Sequence, residues 1–172
     1  MLKVGDTAPP FDAEGSDGKR FVLYDQPGLC TVIYFFPKAF TPGCTAETKR
    51  FRWNYAELAL AGAGVVGIST DDGNTQCDFA KSLKVPFPIV GDADKSICRA
   101  YDVLWPLIGV AHRVTYVVAP PAGDAPGAPP RRVVEAVFHH EINITAHRDD
   151  VLRFVNAKFQ AARPAPGPGR IA

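Results

Sequence analysis

The sequence predicts an α/β protein: a mixed central β-sheet flanked by helices on both faces. Three observations carry that expectation. Residues 29–36 (LCTVIYFF) form an unbroken β-branched and aromatic run, as a central strand covered on both faces requires. From there to residue 90, strand-like and helix-like segments alternate, which is the pattern of parallel pairing through helical crossovers. Finally, two strand-like runs flank a proline-rich stretch and read as an antiparallel hairpin. The chain has 172 residues, and at that length one domain can bury roughly 70% of its extended surface.

Each element has a local reason. At the amino end, Phe11 and residues 21–23 flank Gly15-Ser16-Asp17-Gly18, a sequence suited to a hairpin turn. Residues 45–61 place Phe51, Tyr55, Leu58 and Ala59 at helical spacing and stop at Gly62 and Gly64. Residues 65–69 (VVGIS) read as a second buried strand. Asn74 is the expected N-cap of a helix running to Leu83, with Phe79, Ala80 and Leu83 on its apolar side. Residues 86–90 lead into a short strand and residues 95–101 into a brief helix. Residues 112–119 and 132–140 are the hairpin strands. A final helix over 149–162 carries Val151, Leu152, Val155 and Phe159 on one stripe. Right-handed crossovers leave few ways to join these elements, and the simplest is the thioredoxin-like architecture.

Two segments depart from globular composition. Residues 119–130 (APPAGDAPGAPP) cannot form helix or ladder and are expected to make an exposed, extended excursion. Residues 163–172 (RPAPGPGRIA) form a proline-rich tail without a packing face, expected to be disordered. The expected organisation is therefore one domain over 1–162 and a tail over 163–172.

Nineteen basic and eighteen acidic residues give a net charge of +1, so there is no electrostatic case for nucleic acid or an anionic membrane. The first 25 residues carry charges at Lys3, Asp6, Asp12, Glu14 and Asp17 among others and have no apolar run, unlike a signal peptide, and residues 29–37 are too short to span a bilayer. Four cysteines without a signal segment suggest a reducing, cytoplasmic setting and thiols kept for chemistry, and the lack of a C-x-x-C pair argues against a thioredoxin-type disulfide reductase. The four histidines have no ligand-like spacing: His139 and His140 point to opposite faces of a strand, and His112 and His147 stand apart. No metal or other cofactor is expected.

The chemistry concentrates at residues 34–45 (YFFPKAFTPGCT). Thr41 followed by Pro42 reads as the N-cap and first residue of a helix, which puts Cys44 in its first turn. Free amides and the positive end of the helix dipole favour a thiolate there, and the thiolate is the nucleophilic form. Position alone leaves open that Cys44 is a small buried filler.

Pro37-x-x-x-Thr41-x-x-Cys44 resembles the active-site signature of the peroxiredoxins. The longer string at 36–45 is similar to the bacterioferritin-comigratory (Q-type) subgroup. Further resemblance lies in Gly5-Asp6-x-Ala8-Pro9-x-Phe11, Gly67-Ile68-Ser69-x-Asp71, Phe87-Pro88-x-Val90-x-Asp92, Ala100-Tyr101-Asp102-Val103 and Arg113-Val114-Thr115-Tyr116-Val117-Val118. It covers about residues 3 to 160.

The resemblance implies that Cys44 attacks the O–O bond of hydrogen peroxide or an alkyl hydroperoxide and becomes a sulfenic acid. It implies that Pro37 shields the sulfur, that the Thr41 hydroxyl holds the peroxide oxygens, and that Arg113 is the active-site arginine. Because Arg113 opens its strand, its loss is expected to leave the fold intact; the alternative is a solvent-facing edge residue. Glu47 either orients Arg113 or complements the helix dipole at the surface. The implied reductant is thioredoxin or a similar dithiol, and the implied assembly a monomer or weak homodimer.

Many members of the subgroup carry a resolving cysteine five residues after the first, but here that position is Lys49. Others resolve from the helix after the second strand, where this chain has Cys77, one turn before the aligned position near Ala80. Cys77 is the candidate resolving cysteine, the alternative being a partly exposed helix cysteine. Cys98 is expected to be half-buried and Cys30 a core residue. Two alternatives stay open. One is a one-cysteine peroxidase recycled directly by an external thiol; the other is a non-catalytic redox sensor or interaction module using the 119–130 loop.

Overall fold

The computed structural model describes residues 1–122, 129–139 and 144–159, with side chains of the last segment described from 150 onward. The tail at 163–172, residues 123–128 of the proline-rich loop and His140 lie outside the described residues, as does the side chain of His147.

Five strands form the central sheet: β3 (Cys30–Phe35), β4 (Ala63–Ser69), β5 (Ile89–Gly91), β6 (Val114–Ala119) and β7 (Val133–His139), in the order β5-β4-β3-β6-β7. β3, β4 and β5 run parallel, whereas β6 and β7 join antiparallel, as the alternation and the hairpin predict. A separate two-stranded ribbon, β1 (Asp12–Glu14) and β2 (Arg20–Val22), is tied to the β5 edge through a bridge between Gly15 and Val90.

Alternation along β3 divides the core in two. Cys30, Val32 and Tyr34 face a layer made by α1 (Pro42–Leu60), α2 (Gly73–Leu83) and α4 (Ile144–Phe159). Ile33 and Phe35 face the other layer, where α3 (Ser96–Ala100) supplies Ile97 and Cys98, and the ribbon supplies Phe21. Helices thus cover both faces, but unequally. All three long ones share the face that carries Cys44.

α1 starts at Pro42 and buries Cys44, Glu47, Thr48, Phe51 and Leu58. The expected stripe therefore holds at Phe51 and Leu58, leaves Tyr55 half-buried and fails at Ala59, which is exposed. Full burial of Phe51 and Leu58 contributes about 1.5–3 kcal/mol each. Asp72, not Asn74, caps α2: its side chain accepts from Thr75 N at 2.8 Å. A carboxylate both accepts that bond and complements the dipole, so the helix begins earlier than expected. α4 likewise begins at Ile144 instead of 149, with Val151, Val155 and Phe159 buried as expected. Cys98 is fully buried, not half-buried, because it packs into the core cluster that Ile97, Tyr101 and Val103 share with β3 and β6.

Candidate active site

β3 ends at Phe35, and six residues then turn the chain into α1. The turn needs Phe40 in the left-handed region at φ 62°, with its ring edge-on to Phe79 of α2 at 5.2 Å. Thr41 occupies the N-cap position, as expected, but its side chain does not cap. Its hydroxyl donates instead to Lys38 O at 2.9 Å. The amides of the first turn therefore keep no cap from Thr41 and remain beside Cys44, which is 1% exposed.

Arg113 lies just before β6 and reaches under α1. Its Nη2 donates to Cys44 Sγ at 3.5 Å, and its Nη1 donates to Glu47 Oε2 in a buried ion pair. Glu47 sits one turn after Cys44 on the same helix face. The structure brings Cys44, Arg113 and Glu47 together, and neither the surface glutamate nor the edge arginine describes what is found. Burial pulls the guanidinium toward neutrality, but the charges of Glu47 and Cys44 outweigh it and leave Arg113 held above its ordinary range. Its Nε has no hydrogen-bond partner among the described residues. A permanently cationic, planar donor beside the sulfur stabilises a thiolate and keeps a donor for an incoming oxygen. Because the pair is buried, loss of Arg113 would take a partner from a buried carboxylate, a cost to the fold that the strand-opening position does not convey.

Pro37 and Thr41 are half-buried in the segment between β3 and the first turn of α1. In the same core cluster as Cys44, the Tyr34 hydroxyl pairs with Thr48 Oγ1 at 3.2 Å, and burial pushes that phenol well up.

The loop is held by residues that helix and strand patterns do not flag. Asp71 Oδ2 accepts from Ala39 N at 2.7 Å, from Ser69 Oγ at 2.7 Å and from Gln76 Nε2 at 3.4 Å. The available sequence signal was Ser69-x-Asp71 at the end of a buried strand.

Cys77 is half-exposed and not joined to Cys44; all four cysteines are free thiols. Phe79, two residues later and about 200° around the helix, packs on Phe36 and Phe40 of the active-site loop. Cys77 faces the opposite flank, lining a cleft with Gly15, Ser16 and Ile89. Cys30 and Cys98 are buried in opposite layers. Burial pushes the Cys30 thiol up to about 12, partly offset by Arg132, and also pushes Cys98 up.

Comparison with known proteins returns the same chemistry. The profile of the AhpC/TSA family matches residues 4–122. Peroxiredoxin Bcp of Escherichia coli is 33% identical over 160 residues, covering 90% of this chain and 96% of that protein. The crystal structure of peroxidoxin BcpB from Mycobacterium tuberculosis superposes with a TM-score of 0.80 at 31% identity, over 92% of this chain and 99% of that one. A Xanthomonas campestris bacterioferritin comigratory protein, solved in work on its alkyl peroxide reduction activity, has a TM-score of 0.72 at 29% identity, over 86% and 90%.

Proposed function

The chain belongs to the AhpC/TSA family of peroxiredoxins, and from that premise we propose the course of its reaction. It is a thiol-dependent peroxidase. The observation that carries the assignment of roles is the Arg113 guanidinium 3.5 Å from the sulfur of a cysteine in the first turn of a helix. The Cys44 thiolate attacks one oxygen of the hydroperoxide and the O–O bond breaks. The sulfur keeps that oxygen as a sulfenic acid, and the other leaves as alkoxide or hydroxide, taking a proton to give alcohol or water. Arg113 holds the thiolate and donates to the peroxide oxygens, Glu47 fixes Arg113, the Thr41 hydroxyl orients the peroxide, and Pro37 screens the sulfur from bulk water. Alkyl hydroperoxides join hydrogen peroxide as substrates by similarity to the Xanthomonas protein.

The sulfenic acid is then reduced by thioredoxin or a similar thiol donor, through a disulfide with Cys77 or by direct attack of the external thiol. The second route is favoured by one observation: Cys77 faces away from the active-site loop, so an internal disulfide requires the start of α2 to unwind. The reading includes a monomer or weak homodimer acting in the cytoplasm. Among the described residues, no helix is long and apolar enough to cross a membrane. Stopped-flow mixing of the reduced protein with peroxide tests the assignment; second-order oxidation of Cys44 is expected, and its absence overturns it.

A further inference from the structure

We propose that Asp71 is a positioning residue for peroxide reduction, its carboxylate latching the loop before α1 to β4 and α2 so that Cys44 stays enclosed. The proposal rests on the peroxidase reading and adds what holds that site shut.

Three separate segments converge on Asp71 Oδ2: Ala39 N from the active-site loop, Ser69 Oγ from the end of β4, and Gln76 Nε2 from α2. Gln76 and Ser69 are fully buried, and Gln76 Nε2 also donates to Ser69 Oγ at 2.5 Å. The Gln76 amide has no other side-chain partner among the described residues, its Oε1 being buried without one. A fully buried amide committed to one serine and one carboxylate is costly unless the network stays intact. The loop itself carries a strained residue, since Phe40 adopts a left-handed conformation and is 55% exposed. With the carboxylate removed, the Ala39 amide loses its acceptor and the strain at Phe40 can relax, so the latch is what keeps this arrangement.

The two half-reactions ask for different arrangements. A small peroxide reacts with a thiolate enclosed beside Arg113. A thiol donor larger than peroxide cannot reach a sulfur that is 1% exposed while the loop is in place. Asp71 thereby sets the balance between attack on peroxide and access for the reductant. Gln76 extends the latch to α2, the helix that carries Cys77, so unwinding its start to free Cys77 withdraws a donor from Asp71.

Mass-resolved labelling of native protein with N-ethylmaleimide tests this, because it reads enclosure of Cys44 without any peroxide. In Asp71→Ala, Cys44 is expected to label at least tenfold faster than in wild type, with Cys30 and Cys98 unchanged as internal controls. Asp71→Asn, which keeps an uncharged acceptor, is expected to fall between. Gln76→Leu, which leaves Asp71 in place, is expected to shift the same way and serves alone if Asp71→Ala does not fold. Peroxide oxidation of Cys44 is expected to slow several-fold in these variants while reduction of the sulfenic acid by thiol does not slow. Wild-type labelling rates at Cys44 in the folded variants, or parallel acceleration at Cys30 and Cys98, overturn the latch. A wild type that labels slowly yet fails to reduce peroxide overturns the peroxidase reading and leaves the latch standing.

Discussion

Arg113 divides its two terminal nitrogens between two residues one helical turn apart: Nη2 to the sulfur of Cys44, Nη1 to the carboxylate of Glu47. A lysine carries the charge but cannot serve both at once. Arg113→Lys is therefore expected to lower the rate of peroxide attack about 10- to 100-fold, the equivalent of a charge-assisted hydrogen bond of about 1.5–3 kcal/mol. Arg113→Ala also takes the guanidinium away from the buried Glu47 carboxylate and is expected to cost about 3–5 kcal/mol of stability. Urea unfolding separates the two effects. Unchanged peroxide kinetics in Arg113→Lys would return this arginine to a purely structural role.

Cys44→Ser is expected to abolish peroxide turnover, whereas Cys30→Ser and Cys98→Ser keep most of it once corrected for folded fraction. Steady-state peroxide consumption with a dithiol reductant measures this. Substantial activity in Cys44→Ser would sink the assignment of the nucleophile.

The fate of oxidised Cys44 is decided by peptide mass mapping after one equivalent of peroxide. An internal route gives a Cys44–Cys77 disulfide, and Cys77→Ser then accumulates sulfinic acid and turns over poorly. A direct route leaves wild type as a sulfenic acid, and Cys77→Ser cycles normally with small thiols. A Cys44–Cys98 link would contradict both, as Cys98 lies in the opposite core layer.

Cys30 provides a pH test. Burial raises its folded-state value to about 12, against about 8.5 for a thiol in the unfolded chain. Its contribution is fully present below about pH 8.5 and is lost as pH rises toward about 12, at up to about 1.4 kcal/mol per pH unit. Stability from urea titrations is expected to fall over pH 8.5–10 more steeply in wild type than in Cys30→Val. Parallel slopes would mean that Cys30 ionises equally in both states.

Gly67 offers a packing test. A Cβ there would come within 2.5 Å of the Tyr34 ring. Gly67→Ala is expected to destabilise by about 1–3 kcal/mol and to displace the Tyr34 hydroxyl from Thr48. Thermal unfolding and near-ultraviolet circular dichroism would show it; an unaltered melting temperature would contradict the contact.

The sheet was legible in the sequence because β3 has no charge, glycine or proline to interrupt it and the proline-rich stretch marks a hairpin. Cys44 was legible because Thr41-Pro42 marks a helix start. Glu47 was only half legible: it falls on the stripe of Cys44, Thr48 and Phe51, yet a charged residue there reads as buried only once Arg113 is known to cross beneath it. That crossing is a tertiary fact joining residues 66 apart. Asp71 belongs to a short motif at the end of β4, but its convergence of donors from three segments has no one-dimensional pattern. The facing of Cys77 was illegible for a different reason. Residue spacing fixes angles within α2, but which flank meets the active-site loop depends on how Phe79 docks.

α4 and α1 pack on each other in the layer that encloses Cys44, with Val151, Val155 and Phe159 in the same cluster as the nucleophile. The reactive helix is thus roofed by an element about a hundred residues downstream. During synthesis, β3, α1 and β4 emerge together and can pair, but α4 leaves the ribosome later than all of them. Until it does, the apolar underside of the reactive helix has no lid on that flank, and the thiol belongs to a half-built chamber. A nascent chain stalled before residue 144 therefore meets oxidants with its cysteine least protected, and the vulnerable period of this enzyme precedes its working life.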